Sequence, residues 1–158
     1  EAARKAEALA EAARVFGGLP HRLEFVAERR GVRFYNDSKA TTPEASITAL
    51  EAFPAGTVHA IAGGYDKKVD LSGFATVLKA RAKAVYLIGA TAGKIQQLLG
   101  SGGPEVVMAG TLEAAVREAT ARAQPGEVVL LSTASGSLDQ FKNYEERGEA
   151  FRKAALAP

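Results

Sequence analysis

Residues 32–43 read VRFYNDSKATTP, and they join an apolar strand to a helix. Val32–Tyr35 predicts a buried strand. Thr42 suits the N-cap of the helix that follows, Pro43 suits its first turn, and Glu44 complements the positive end of its dipole. Because chemistry concentrates where strands end in α/β proteins, this junction is the first place to look for a site.

The polar loop Asn36–Thr41 lies between that strand and that helix. It contains a carboxylate, two hydroxyls and a lysine beside a helix N-terminus, whose free N–H groups favour anions. The loop is therefore a candidate binding site for phosphate or carboxylate. A solvated loop that only caps the helix explains the same residues, and the stretch by itself leaves both interpretations open.

Length and composition narrow the class of protein. The 158 residues, 47% of them hydrophobic, fit one compact domain. A net charge of +2 with interspersed signs argues against a nucleic-acid partner, and no apolar run approaches the roughly 20 residues of a membrane span. Absence of cysteine excludes disulfides and thiolate chemistry, and two distant histidines, His21 and His59, argue against a metal site.

The chain begins at Glu1 without a methionine, and residues 1–16 have apolar residues at helical spacing that ends at Gly17-Gly18. We interpret residues 1–16 as a helix left over from an upstream domain. The domain proper is predicted to span residues 17–158.

Strand and helix patterns alternate along the rest of the chain. Residues 23–28 and 32–35 predict a β-hairpin. Further strands are predicted at 58–62, 84–88, 105–108 and 128–132, and helices at 43–53, 72–83, 91–99, 111–123 and 138–156. This rhythm predicts an α/β fold with a mostly parallel sheet and an N-terminal antiparallel hairpin strand.

Three polar loops follow strands and should share the carboxyl edge of the sheet, where open α/β sheets bind ligands: Asn36–Thr41, Gly63–Lys68 and Thr133–Ser137. In the second loop, two glycines could bring N–H groups to an anion beside Lys67, or form a plain tight turn. In the third, Ser137 fits an anion nest, or a capping box with Gln140.

Other motifs are weaker. Gly89–Lys94 resembles a phosphate loop but has three residues between its glycines, and Ile95 follows the lysine where a hydroxyl is needed. No Gly-x-Gly-x-x-Gly fingerprint supports dinucleotide binding. His21 is interpreted as a structural or surface residue, and His59, inside an apolar strand, as a core histidine.

Four segments together resemble a known family: GLPHRLE (18–24), YNDSKAT (35–41), GGYDK (63–67) and SLDQFKNYEERG (137–148). Their order and spacing resemble the C-terminal domain of the Mur ligases, over the chain from about Gly17 onward. The second and fourth segments resemble the branch that adds D-glutamate. The resemblance implies a Rossmann-like, three-layer α/β/α domain in which the sheet lies between two helical layers.

The resemblance also implies a function. The whole enzyme would be a monomeric, cytoplasmic, three-domain ligase of peptidoglycan synthesis that uses ATP and Mg²⁺, bound mainly by its central domain. It would join D-glutamate to UDP-N-acetylmuramoyl-L-alanine through an acyl phosphate, with this domain closing as a lid that binds the amino acid. The chain alone would then be inactive.

Site residues follow by position in the matching motifs. The resemblance assigns D-glutamate binding to Lys67, Thr41, Ser137, the main chain at Leu138, and Tyr144. It assigns nucleotide contacts to Asp37, Lys39 and Arg22, with Asp37 suited to ribose hydroxyls and Lys39 to phosphate. Two positions depart from the family pattern: Thr42 replaces a common Asn, and Gly64-Tyr65-Asp66-Lys67 replaces Gly-Asp-Gly-Lys.

Two other interpretations are open on the sequence. A sister ligase that adds a different amino acid would share the fold, but the Asn36–Thr41 loop disfavours it. A free-standing α/β nucleotide-binding or regulatory module without catalysis would share the strand and loop order.

Overall fold

The computed structural model describes residues 18–158 together with Ala2, Arg4, Lys5 and Ala8. Those four residues are helical. The predicted helix over residues 1–16 otherwise lies outside the described residues.

The described residues form a six-stranded sheet with strand order β1-β2-β6-β3-β4-β5. Only β1 runs antiparallel to its neighbour, in a hairpin with β2, and the other neighbouring strands are parallel. The predicted hairpin and mostly parallel sheet are confirmed. The strands are β1 Glu24–Arg29, β2 Val32–Asn36, β3 Val58–Ala62, β4 Ala82–Ile88, β5 Glu105–Gly110 and β6 Val128–Leu131.

Five helices of the described part cover the two faces of the sheet: α1 Pro43–Glu51, α2 Ser72–Arg81, α3 Ala92–Leu99, α4 Leu112–Arg122 and α5 Tyr144–Leu156. The first three pack on one face and the last two on the other, so that two separate apolar clusters form. The predicted three-layer α/β/α fold is confirmed. None of the described helices combines the length and apolar character that a membrane crossing requires.

The central strands β3 and β6 are buried on both faces, because helices cover each side of a parallel sheet. Alternate residues of β4 serve the two clusters: Val85 and Leu87 face one, and Tyr86 and Ile88 face the other. The period-2 alternation of a strand therefore supplies apolar surface to both layers.

The last helix differs from its prediction. It was expected to start at Leu138, but α5 starts at Tyr144. Asn143 is its N-cap, accepting from the Glu146 N–H, and the Glu146 carboxylate accepts from the Lys142 N–H. The start is displaced because residues ahead of Asn143 bond across the sheet edge, with the Gln140 side chain donating to the Gly110 carbonyl.

The amino end of the sheet holds a buried polar network, and the prediction of His59 as a core histidine is confirmed. The Nδ1 of His59 bonds the Tyr86 hydroxyl at 2.9 Å, and its Nε2 bonds the Glu127 carboxylate, which also pairs with Lys83. Burial raises the pKa of Tyr86 to about 12, so that its hydroxyl stays neutral. Each side chain of this network hydrogen-bonds to another side chain of the network.

Candidate functional site

The three polar loops meet at the carboxyl edge of the sheet, as predicted. The N–H of Gly63 donates to the Thr133 carbonyl at 3.0 Å, and the N–H of Tyr65 donates to the Gly136 carbonyl at 2.8 Å. The Thr133 hydroxyl donates to the Ala40 carbonyl at 3.3 Å. Because β2, β6 and β3 are neighbours in the sheet, loops that are far apart in sequence form one surface.

The N–H groups of the glycines in the second loop are bonded within the protein and do not face an anion, which corrects that interpretation. The N–H of Gly63 is taken by Thr133, and the N–H of Gly64 donates to the Thr91 hydroxyl at 3.0 Å. These positions need glycine because backbones approach closely. A Cβ would lie 2.2 Å from the Ile88 carbonyl oxygen at Gly63, and 2.3 Å from that of Gly136 at Gly64.

The backbone of the first loop is also occupied by the protein itself. The Ser38 N–H donates to the Asn36 side chain at 3.1 Å, and the Lys39 N–H donates to the His21 carbonyl at 2.9 Å. The Ala40 and Thr41 N–H groups donate within the loop at 2.9 Å. Anion binding by this loop therefore depends on its side chains. Thr42 caps α1 as predicted, accepting from the N–H of Ala45 at 3.3 Å.

Residues predicted to bind the amino acid come together beside the third loop. Lys67 is exposed and donates from Nζ to the Thr41 carbonyl at 3.2 Å, which brings the ammonium beside the first loop. Its Cε lies 3.3 Å from the place where a Cβ of Gly136 would stand. One ammonium is therefore held between the first and third loops, close to Gly136, the residue before Ser137.

Ser137 and Leu138 offer free donors at this point. Ser137 is 5% exposed, and it is not the cap of α5, so that the capping-box interpretation is wrong. Within residues 18–158, no protein acceptor takes the N–H of Ser137 or of Leu138. Two unpaired N–H groups beside a lysine make a suitable pocket for a carboxylate.

Residues predicted to contact the nucleotide line one cleft of about 360 Å³. Arg22, Asp37 and Lys39 are its charged lining residues, and Ala45 and Ala49 of α1 are among its apolar lining residues. Two cations suit phosphate groups, a carboxylate suits ribose hydroxyls, and the apolar lining suits a flat base. The lining residues are Arg22, Leu23, Asp37, Lys39, Ala40, Ala45, Thr48, Ala49 and Ala52.

Asp37 also holds the site together. It is 5% exposed, accepts from the Leu23 N–H at 2.9 Å, and accepts from the Ser132 hydroxyl at 2.7 Å. Burial raises the pKa of Asp37, and these hydrogen bonds, with the charge of Arg22, oppose that rise. A carboxylate has about four acceptor positions, so that two remain for a ligand.

His21 is structural, as predicted. It is buried, and its Nδ1 accepts from the Asn36 side-chain amide at 2.9 Å, while its ring meets the edge of Tyr144. A Cβ at Gly148 would lie 2.1 Å from that nitrogen, which explains the glycine. His21 therefore fixes the position of Tyr144, one of the predicted binding residues.

Arg147 is the main residue of the site that sequence reasoning missed. Its guanidinium is buried and bonds Ser38 in the first loop as well as Ser135 and Gly136 in the third. A signal was present, because Arg147 lies four residues before Phe151 and so shares the inward face of α5. Sequence reasoning included Arg147 only as part of the segment 137–148 and gave it no role.

Asp139 was missed for a similar reason. Its carboxylate accepts from the Ala90 N–H at 3.0 Å, which ties the third loop to the turn before α3. In that turn the Thr91 hydroxyl bonds Gly64 and Ser135, and Lys94 donates to the Val69 carbonyl at 2.8 Å. The groups that a phosphate loop would present at Gly89–Lys94 are thus used within the protein.

The fold and the site define a class. A mostly parallel three-layer α/β domain, with lysines, hydroxyls and free N–H groups at its carboxyl edge, has the architecture in which open α/β sheets bind small ligands. The chain belongs to the Mur ligase family: the family model described as "Mur ligase, glutamate ligase domain" matches residues 21–135.

Curated relatives agree with this family. The chain is 51% identical over 152 residues to the UDP-N-acetylmuramoylalanine–D-glutamate ligase of Acidobacterium capsulatum, covering 96% of this chain and 32% of the relative. It is 50% identical over 146 residues to the enzyme of the same name from Solibacter usitatus, covering 92% and 33%. The chain spans about a third of the length of these relatives.

Solved structures share the fold. The MurF ligase of Thermotoga maritima, solved in complex with ADP, matches with a TM-score of 0.60 at 22% identity, over 89% of this chain and 32% of that one. The UDP-N-acetylmuramate–alanine ligase of the same organism matches with a TM-score of 0.64 at 17% identity, over 89% and 31%. At these identities the likeness concerns the fold alone.

Proposed function

We propose that the full-length protein containing this chain is an ATP-dependent ligase that joins D-glutamate to UDP-N-acetylmuramoyl-L-alanine in peptidoglycan synthesis. Relatives of that name at about 50% identity support the reaction. The assignment of the amino-acid site to this domain rests on Lys67, which donates to the Thr41 carbonyl and lies beside Gly136, the residue before Ser137. In this proposal the enzyme is a monomer, and it acts in the cytoplasm because its cosubstrate is ATP.

The reaction proposed has two steps. The γ-phosphoryl group of ATP passes to the alanyl carboxylate, leaving ADP and an acyl phosphate. The amine of D-glutamate then attacks the acyl carbon, loses a proton, and expels phosphate as the amide forms. Water would destroy the acyl phosphate, so a domain that brings the amine and closes over the site protects the intermediate.

Residues at the carboxyl edge fit the amino-acid half of this reaction. D-Glutamate has two carboxylates, which need a cation and several donors. The ammonium of Lys67, the hydroxyls of Thr41 and Ser137, and the free N–H of Leu138 provide them. Tyr144, held by the ring of His21, closes one side. Binding both carboxylates would aim the amine at the acyl carbon.

The cleft fits the nucleotide half. In this proposal Arg22 and Lys39 contact phosphates, and Asp37 accepts from ribose hydroxyls. Residues 18–158 contain no group of three or more side chains with metal-ligand chemistry. We assign Mg²⁺, which would neutralise phosphate charge, mainly to the central domain of the full-length protein.

Replacing Lys67 by Ala in the full-length protein tests the proposal. Loss of a charged hydrogen bond worth about 1.5–3 kcal/mol should raise the KM for D-glutamate about 10- to 150-fold. Lys68 provides a matched control, because its side chain is 85% exposed and pairs with Asp66. Lys68→Ala should leave that KM unchanged. Initial rates of ADP release at varied D-glutamate, with UDP-N-acetylmuramoyl-L-alanine saturating, give the comparison.

The first test of the proposed reaction is the product that the wild-type protein forms. The proposed reaction would be refuted if the wild type formed no amide from D-glutamate. L-Glutamate and L-alanine are tested as alternative substrates in the same assay. An active wild type with an unchanged KM in Lys67→Ala would keep the reaction and remove Lys67 from the amino-acid site.

A further inference from the structure

Arg147 joins two loops that follow different strands. Arg147 lies near the start of α5 and is 1% exposed. Its guanidinium donates four hydrogen bonds. Two go to Ser38, from Nε to the hydroxyl at 2.9 Å and from Nη2 to the carbonyl at 2.7 Å. Two go from Nη1 to the carbonyls of Ser135 at 3.1 Å and Gly136 at 3.0 Å. A planar fork is suited to holding several acceptors at fixed angles.

The residues that Arg147 bonds lie next to both halves of the proposed site. Ser38 lies between Asp37 and Lys39, which line the nucleotide cleft. Ser135 and Gly136 lead directly into Ser137, on the amino-acid side. A single side chain therefore bridges the halves, and a shift of either loop would be felt by the other through Arg147.

Ser38 extends this link to a third element. Its hydroxyl accepts from Arg147 and donates to the Tyr144 carbonyl at 2.7 Å. The hydroxyl uses its donor and one of its two acceptor positions, and it thereby connects the first loop to the start of α5. Tyr144, a proposed binding residue, is thereby held in register with the loops.

The charge of Arg147 is not cancelled locally. All four of its acceptors are neutral oxygens, and burial lowers the pKa of Arg147 to about 10, with the charge of Asp139 acting in the opposite direction. At neutral pH it stays protonated. A buried cation whose partners are carbonyl dipoles keeps a positive electrostatic potential around it. A carboxylate partner would have cancelled that potential.

We propose that Arg147 is a positioning residue that couples the nucleotide and amino-acid halves of the site by holding Ser38 and the Ser135-Gly136 carbonyls in one arrangement. The identity of the two ligands rests on the proposed function; the coupling of the two loops does not. Arg147 touches neither ligand in this scheme, and its effect reaches them through the loops.

Arg147→Lys in the full-length protein tests the coupling. Lysine keeps the charge but cannot span both loops with its single nitrogen. The KM values for ATP and for D-glutamate should rise together, each about tenfold or more. Arg152→Lys is the matched control on the same helix, because Arg152 pairs with Glu24 and Glu149 instead of the loops. It should leave both KM values unchanged.

A merely structural role predicts a different pattern. Partial unfolding lowers the amount of active enzyme, so that kcat falls while both KM values stay constant. That result, or a rise in only one KM, would overturn the coupling. If Arg147→Lys does not fold, Ser38→Ala decides, because it removes one of the four bonds. Both KM values should then rise about two- to tenfold, and an unchanged pair would refute the proposal.

Amide hydrogen exchange separates this inference from the proposed function. In Arg147→Lys, peptides covering residues 36–41 and 133–138 should exchange faster together, with the rest of the protein unchanged. Acceleration in only one loop, or across the whole sheet, would overturn the coupling. A wild type that makes no product from D-glutamate would remove the proposed function, and the exchange result would still decide the coupling.

Discussion

The two edges of the same sheet partner their polar groups in opposite ways. At the amino edge, His59, Tyr86, Glu127 and Lys83 satisfy one another, and the charge of Glu127 has a cationic partner. At the carboxyl edge, Arg147 is held by neutral oxygens and Lys67 by one carbonyl. A closed network supports the fold, whereas an open one keeps charge and donors for a ligand.

Strand ends explain why function falls at one edge. In a parallel sheet the strands point their C-termini to the same side, so that the loops with free donors collect there. The amino edge receives helix ends and connections, for which a satisfied network is sufficient. The following predictions test this difference, in order of decreasing expected effect.

Lys39 and Lys83 carry the same charge at opposite edges. In the full-length protein, Lys39→Ala should raise the KM for ATP about 10- to 150-fold, because a phosphate contact is lost, and leave stability unchanged. Lys83→Ala should leave that KM unchanged and cost at most about 1 kcal/mol, because its side chain is 44% exposed. Steady-state rates and urea unfolding measure the two effects. Equal KM changes would abolish the distinction between the edges.

Glu127→Gln should reduce stability in a pH-dependent way. Burial raises the pKa of Glu127, but hydrogen bonds from Lys83 and His59 outweigh it, so that the net pKa lies below the ordinary 4.5. A depressed carboxyl pKa adds stability that is present above the ordinary value and is lost as the pH falls through the folded value. The difference in unfolding free energy, about 1–2 kcal/mol, should therefore be full near pH 6 and shrink below about 4.5.

Urea unfolding of the wild type and Glu127→Gln at several pH values between 3 and 7 makes this measurement. A difference that grows on acidification would contradict the direction of the Glu127 shift. Activity near neutral pH should remain, because the network is at the amino edge.

Asn143 and Ser137 distinguish a cap from a binding residue. Asn143→Ala should lower the unfolding free energy by about 1 kcal/mol, the usual cost of a lost N-cap. Ser137→Ala should change it by less than about 0.5 kcal/mol, because Ser137 does not cap α5. Thermal or urea unfolding compares the variants. A larger decrease in unfolding free energy for Ser137→Ala would support a capping role for Ser137 and argue against its role as a binding residue.

Much of the fold could be predicted because its signals are local. Alternation and apolar runs gave the strands to within about two residues, and Thr42 with Pro43 gave the start of α1. The order of strands and helices indicated the shared edge, because right-handed crossovers leave few topologies. Motif resemblance added candidate residues, and the structure brings Lys67 beside Thr41, and Arg22 beside Asp37 and Lys39.

The errors all concern partners distant in sequence. Ser137 with Gln140 matched a capping box, but Gln140 bonds Gly110, thirty residues away. Gly63 and Gly64 suited the approach of an anion to their N–H groups, but these amides bond Thr133 and Thr91. A local sequence pattern indicates which hydrogen-bonding groups a segment contains. It does not indicate which distant residue bonds them in the folded protein.

The sequence by itself determined the α/β order, the N-cap of α1, the absence of cysteine chemistry and the set of polar loops, because periodicity, capping and composition act over a few residues. Only the tertiary structure decided which of those polar groups are hydrogen-bonded within the protein and which remain available to a ligand. Arg147 shows the reason, because its four acceptors come from loops about 100 residues apart that only the folded sheet brings together.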